Sequence, residues 1–303
     1  VWRMELTSYE KDILAGKYGE GMAYALEIQL AIGNAFDADR FVPITRTHVA
    51  LSAQDADMWF AEKMLSKGAK CIIPPTVNPS INLKYLNDHL FEIPKAGKEI
   101  VSATNEAYRK LGAQLTFDCT PYLQQNVPAF GEVIAFSESS ATPYVNSVIG
   151  ARTNREGSNS AVCAAITGVV PRYGLLLDEN RKGDILVRVE ADMKTPYEYH
   201  LLGMMGDKIG EGIPVFTGLP HTISAEALRN LGAQLNTSGA YGMYHIVGCT
   251  PEAPTVEVAL GGKKPKYEVV ITNEDLQNVE ATFSDKRDND KVDFAMFGCP
   301  HFT

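Results

Sequence analysis

Three features of the 303-residue sequence predict an α/β protein built from parallel sheets flanked by helices. Segments with helix-type apolar faces alternate with short β-branched runs along the whole chain. Glycine or proline punctuates most junctions, and no long low-complexity linker interrupts the alternation.

The elements follow in order. Residues 21–38 are apolar around most of the helix circumference (Met22, Leu26, Ile28, Leu30, Ile32, Phe36), as in a helix buried on several sides. RFVPI is a short strand. Ser52 is placed to cap a helix over 53–66, with Asp55 at the third position and Gly68 as its stop. AKCII reads as a buried strand halted by Pro74 and Pro75. A helix over 95–111 ends at Gly112, and AQLTF is the strand after it. EVIAF is a further strand, followed by a polar loop and an apolar helix near 161–166. DILVRVEADM, GMYHIV and YEVVIT are strands, 225–231 is a helix, Thr272 or Asn273 caps another, and VDFAMF closes the chain as a strand. KLGAQLTF and NLGAQLNT each read as a helix end passing through glycine to a strand, an echo that suggests two similar α/β units. The expected division is 1–170, 171–290, and a further segment from 291 that is cut short at 303.

Composition narrows the function. The chain is 45% hydrophobic and 21% charged, with a formal net charge of −9, which argues against a broad nucleic-acid or anionic-membrane surface. The longest apolar run, AVCAAITGVV, is too short to span a bilayer, and the opening VWRMELTSYEKD has no secretory pattern. Met4 is read as the natural start. Five cysteines (Cys71, Cys119, Cys163, Cys249, Cys299) are scattered without CxxC spacing, so a reduced, cytoplasmic protein is expected rather than a disulfide scaffold.

Ligands of open parallel sheets sit beyond the carboxyl ends of the strands. Two predicted strands end in a cysteine followed closely by proline: AQLTF leads to Cys119, and VDFAMF to Cys299. They are candidate thiolate ligands of a metal or iron–sulfur centre. Cys71 and Cys163 lie in apolar runs and read as core residues. Cys249 also follows a strand and stays open as a third ligand on spacing alone. The polar stretch 137–157 carries Glu138, Ser139, Ser140, Asn146 and Arg152, a set suited to holding a carboxylate or phosphate. Ser140 is also placed to cap a helix. TRTHVA offers Thr47 and His48 after the RFVPI strand, and weaker candidates are Thr76 and Asn78 in IPPTVNP and the LDENR turn. HExxH, GxSxG and dinucleotide fingerprints are absent.

AGKYGEG, ITRTHVA, PPTVNPS, DCTPYL, FGEVIAFSESSATPYVNSVIGARTNREG, LDENR, IPVFTGLP, HIVGCTPEAPT and FGCPH occur in this order, and together they resemble the catalytic region of the aconitase X family. The resemblance implies an aconitase-like, multi-domain α/β core with an iron–sulfur cluster, and a hydro-lyase that dehydrates a small hydroxy acid. One kind of member acts on mevalonate 5-phosphate, in the mevalonate pathway, and pairs a large subunit with a small swivelling subunit. The other acts on cis-3-hydroxy-L-proline, with the swivel domain fused. SESSA followed by ARTNREG is nearer the first kind.

The resemblance places cluster ligands at Cys119 and Cys299 and argues against Cys249, where relatives commonly carry valine. It puts a further cluster cysteine beyond Thr303, and the proton-abstracting serine on the swivel partner. His48 and Glu138 are then expected at the reacting end as catalytic residues, with Thr47, Ser139, Ser140, Asn146 and Arg152 binding substrate. Partners are expected to be the hydroxy acid and the swivel subunit or domain, with no nucleic acid and no membrane. The rival of another class is a non-catalytic anion-binding α/β subunit.

Overall fold

The computed structural model describes residues 4–52, 54–78, 83, 94–283 and 291. The chain folds into two compact units, neither contiguous in sequence: 1–138 with 152–177, and 139–151 with 178–303. Each holds a four-stranded, wholly parallel sheet flanked by helices, the α/β class the sequence predicts. Among the described residues, no helix is long and apolar enough to cross a membrane.

In the first unit β1 (Phe41–Pro43) pairs antiparallel with β6 (Val169–Pro171), forming a small ribbon separate from the main sheet. The main sheet has the order β4 (Gln114–Leu115), β3 (Thr76–Asn78), β2 (Thr47–Ala50), β5 (Ala135–Phe136). Strand side chains alternate between faces. Val49 and Val77 join a buried cluster with Ala61 and Met64 of helix Asp55–Ser66, Tyr108 and Leu111 of helix Lys95–Leu111, and Ala161, Cys163 and Ile166 of helix Ser158–Thr167. The alternate positions His48 and Thr76 are register partners, as are His48 and Phe136, and so share the other face.

The second unit has the order β10 (Tyr267–Ile271), β7 (Ile185–Val189), β8 (Pro214–Thr217), β9 (His245–Ile246). Helix Ala225–Gly239 lies against helix Pro196–Gly203 so closely that a Cβ on Gly203 would fall 2.7 Å from the Leu231 carbonyl oxygen. Thr272 caps helix Asn273–Phe283 through Asp275, its hydroxyl 3.4 Å from the Asp275 amide.

Several sequence expectations are corrected. AKCII is not a strand: the amides of Ile72 and Ile73 both donate to the Ala165 carbonyl at a helix end, and the strand begins at Thr76, after the prolines. THVA is a strand inside the sheet rather than a loop after one, because two parallel neighbours satisfy its backbone. Ser52 is not the helix cap and Asp55 is not its third residue: the helix starts at Asp55 with Gln54 at its cap position, and the Ser52 amide and hydroxyl both bond the Asp57 carboxylate at 2.6 Å. The helix read as 225–231 continues to Gly239, straight through the NLGAQLNT segment expected to turn into a strand. The polar stretch 137–157 is not a loop throughout: residues 140–147 are buried and wind through a helical turn (Ala141–Tyr144) and a π-type turn (Val145–Ile149), and Ser140 makes no side-chain cap. The VDFAMF strand and Cys299 lie outside the described residues.

Candidate active site

The first unit gathers polar side chains on the face of its sheet opposite the apolar core. His48 is fully buried, and its Nδ1 lies 2.8 Å from the Thr76 hydroxyl. Asn126 Nδ2 donates both to the Thr47 carbonyl at 2.8 Å and to Thr76 Oγ1 at 3.0 Å. A carbonyl only accepts, so the atom facing Thr47 is the amide's NH2 end. Thr76 therefore accepts from Asn126. Among the described residues, the remaining acceptor for the buried Thr76 hydroxyl hydrogen is His48 Nδ1. The neutral imidazole then carries its hydrogen on Nε2.

That Nε2 has no hydrogen-bond partner and points toward the Glu138 carboxylate, 3.6 Å from Oε2. The same Oε2 accepts from Asn78 Nδ2 at 2.9 Å, while Asn78 Oδ1 is buried and unpartnered. Ser137 holds this end of the sheet in place: its hydroxyl donates to the His48 carbonyl and accepts from the Ala50 amide at 2.8 Å. The result is an imidazole N–H, a carboxylate and an amide oxygen converging at the carboxyl edge, two of them with unused hydrogen-bonding capacity. Buried polar atoms are rarely left so without a ligand to satisfy them.

Cys119 lies on the loop after β4 and is buried. The loop is held by an Asx turn, in which Asp118 Oδ1 accepts from both the amide and the hydroxyl of Thr120. Phe117, two residues before the thiol, adopts a left-handed φ of +55°, a strained conformation for a bulky residue, while its amide donates to the Val77 carbonyl. The other thiols of this unit differ. Burial in the apolar core pushes Cys71 up to about 12 and raises Cys163 as well, so both remain thiols, as the sequence implied. In the second unit, burial also raises Cys249. Among the described residues, no three His, Cys, Asp or Glu side chains are grouped as a ready metal site.

The structure thus brings His48 and Glu138 together. Thr47 reaches the same cluster through its carbonyl; its hydroxyl, on the opposite face, is 3.4 Å from the Ile73 carbonyl. Arg152 stays in the first unit, where its guanidinium donates to the Leu176 carbonyl and its backbone bridges Val133. Ser139, Ser140 and Asn146 belong to the second unit. Asn146 is fully buried with both ends of its amide engaged, donating to the Gly242 carbonyl and accepting from Arg181. Arg181, also fully buried, is paired with both oxygens of Glu252 and donates to the Asn146 and Ala151 carbonyls. Sequence reasoning left Thr76 and Asn78 as minor candidates and passed over Asn126. An asparagine in an aperiodic segment gives no signal until the fold carries it to the strand edge.

With its two parallel α/β sheets and a polar cluster at a carboxyl edge, the chain belongs to the aconitase X family, matching the Aconitase X first domain over residues 3–179 and the Aconitase X second domain over 183–281. It is similar to the phosphomevalonate dehydratase large subunit of Thermococcus kodakarensis, 39% identical over 98% of this chain and 74% of that protein. It is also similar to the same subunit from Methanothermobacter thermautotrophicus, at 36% identity over 99% and 74%. A cis-3-hydroxy-L-proline dehydratase from Pseudomonas aeruginosa is 33% identical over 98% of this chain and 52% of its own length. The crystal structure of Thermococcus kodakaraensis aconitase X in its holo-form superposes with a TM-score of 0.84 at 38% identity, covering 93% of this chain and 70% of that one. These relatives are dehydratases, that is, hydro-lyases.

Proposed function

We propose that the chain is the large subunit of an iron–sulfur dehydratase acting on mevalonate 5-phosphate together with a small subunit. The observation that carries the reading is the 39% identity, over 98% of the chain, to a subunit of that name. The His48–Glu138 edge supplies the chemistry expected of it. A cis-3-hydroxy-L-proline dehydratase is the second reading, favoured by the 33% identity to such an enzyme.

The residues fit the implied cluster in one respect. Cys119 is a buried thiol on a constrained loop after a strand of the sheet that bears His48, a suitable single ligand. The described residues do not complete a thiolate set, and Cys299, assigned by resemblance, lies outside them. When bound, such a cluster supplies Lewis acidity toward a carboxylate and a departing hydroxyl.

This chain's own part is to place hydrogen-bonding groups around the departing oxygen. The Thr76 hydroxyl, by donating to Nδ1, holds His48 as the neutral Nε2–H form. In that form the Nε2–H can give a hydrogen bond to the departing oxygen. Glu138, fixed by Asn78 and facing Nε2, is the group placed to exchange a proton with the leaving hydroxyl. Burial of the cluster keeps competing water away and strengthens these interactions. Abstraction of the carbon-bound proton falls to the small subunit.

The test is turnover of both substrates by the cluster-loaded two-subunit complex. Mevalonate 5-phosphate should be dehydrated, and Glu138→Gln should lower kcat about 10²–10⁴-fold with the melting temperature unchanged. Turnover of cis-3-hydroxy-L-proline alone would select the second reading, and full activity in Glu138→Gln would remove that residue from the chemistry.

A further inference from the structure

The second unit buries two guanidinium groups and treats them in opposite ways. Arg181 is saturated by Glu252, Asn146 and two carbonyls. Arg229, on helix Ala225–Gly239, is only 4% exposed, yet its Nε has no hydrogen-bond partner. Among the described residues no carboxylate pairs with it. Arginine cannot shed its charge as a buried lysine can. Its Nε–H is therefore a buried donor left open to an acceptor from outside the chain.

The surroundings are ordered. One stripe of the helix, at positions 229, 232 and 236, faces the segment from Ser139 to Tyr144. Asn236 Nδ2 donates to the Ser139 carbonyl at 2.9 Å, and a Cβ on Gly232 would lie 3.4 Å from Pro143. At the far end, Arg229 acts on the buried phenol of Tyr144: burial raises that hydroxyl, and the guanidinium opposes the rise. Ser139 and Ser140 open the same segment.

We propose that Arg229 is the anion-binding residue of the second unit and that its ligand is a phosphoryl group. A planar guanidinium offers parallel N–H donors that match phosphoryl oxygens, which suits a monoester terminus. That the anion is a phosphoryl group rests on the mevalonate 5-phosphate reading; the anion site itself rests on the geometry of Arg229.

Inorganic phosphate and acetate, titrated into the full chain and followed by calorimetry and melting temperature, test the site. Phosphate should bind and raise the melting temperature saturably, and acetate should bind at least tenfold more weakly. Arg229→Met should lose phosphate binding. Arg229→Lys, which keeps the charge without the fork, should weaken it at least tenfold and serves as the probe if the methionine variant does not fold. Phosphate binding unchanged in Arg229→Lys would overturn the proposal, and equal protection by acetate would overturn the phosphoryl assignment.

Kinetics of the cluster-loaded complex separate this proposal from the reading beneath it. If the wild type dehydrates mevalonate 5-phosphate while Arg229→Lys keeps both its kcat/KM and its phosphate affinity, the proposal fails and the reading stands. If the wild type turns over no mevalonate 5-phosphate but phosphate binding is lost in the variants, the reading fails and the anion site stands.

Discussion

The pentapeptide LGAQL occurs twice, at 111–115 and 231–235, and folds in two ways. In the first unit the helix ends at Leu111. Gly112 takes a left-handed φ of +103°, and Gln114–Leu115 form β4, with the Gln114 amide donating to the Pro75 carbonyl. In the second unit the same five residues sit inside one continuous helix that runs to Gly239. The flanks explain the difference. Downstream of the first copy, Thr116 and Phe117 bond the edge of β3 that faces away from β2: the Thr116 hydroxyl and the Phe117 amide both reach the Val77 carbonyl. Downstream of the second, Asn236, Thr237 and Ser238 turn their side chains to carbonyls at Ser139, Ala233 and Gly203 and keep the helix going. Five residues are too few to choose; the waiting hydrogen-bond partners decide.

The two outcomes serve different ends. The first copy delivers the chain to the Cys119 loop, and the second carries the Arg229–Asn236 stripe along residues 139–144. The sharpest way to break this contrast is therefore at the cysteines. Cys119→Ser should abolish most iron binding and iron–thiolate absorption in the cluster-loaded protein, whereas Cys249→Ser, in the second unit, should leave both intact. The reverse result would show that the strand outcome of the first copy does not serve a ligand.

A smaller effect separates the two glycines. Gly112→Ala should cost about 1–2 kcal/mol through left-handed strain, and Gly112→Asn less, since asparagine tolerates that region. At Gly232 the order should invert. Alanine relieves a helix-interior glycine penalty of about 1 kcal/mol, set against a 3.2 Å approach to the Tyr244 ring. Asparagine should cost about 1–3 kcal/mol by overpacking against Tyr244 and Pro143. Urea unfolding of the four variants checks the inversion, and the same order at both sites would mean that the backbones do not differ. The smallest effect is expected from Asn236→Ala, which removes the bond to the Ser139 carbonyl and should lower stability by about 1 kcal/mol.

What could be read beforehand divides along the same line. Helix Lys95–Leu111 matches its sequence bounds because its amphipathic face, its basic last turn and Gly112 all lie within the segment. Cys71 and Cys163 were legible as core residues from their apolar neighbours. His48 and Glu138 were named from motif and position, but their pairing, Asn126 behind Thr76, and the unsatisfied Nε of Arg229 among the described residues were not, because each depends on segments tens of residues apart. AKCII misled for a related reason. Its apolar run is only partly buried, with Ile72 exposed, and its amides are taken by a helix-end carbonyl; an apolar run alone does not say whether a strand neighbour will be present.

By itself, the sequence determined the α/β alternation, the helix limits set by local caps and glycines, and membership in the aconitase X family through its ordered motifs. Only the tertiary structure decided which LGAQL becomes strand, which hydroxyl faces His48 Nδ1, and which buried arginine keeps an unsatisfied Nε among the described residues. The reason is range. Propensity and capping act over a few residues, whereas strand pairing, tautomer choice and charge compensation are settled by partners that folding brings in from elsewhere in the chain.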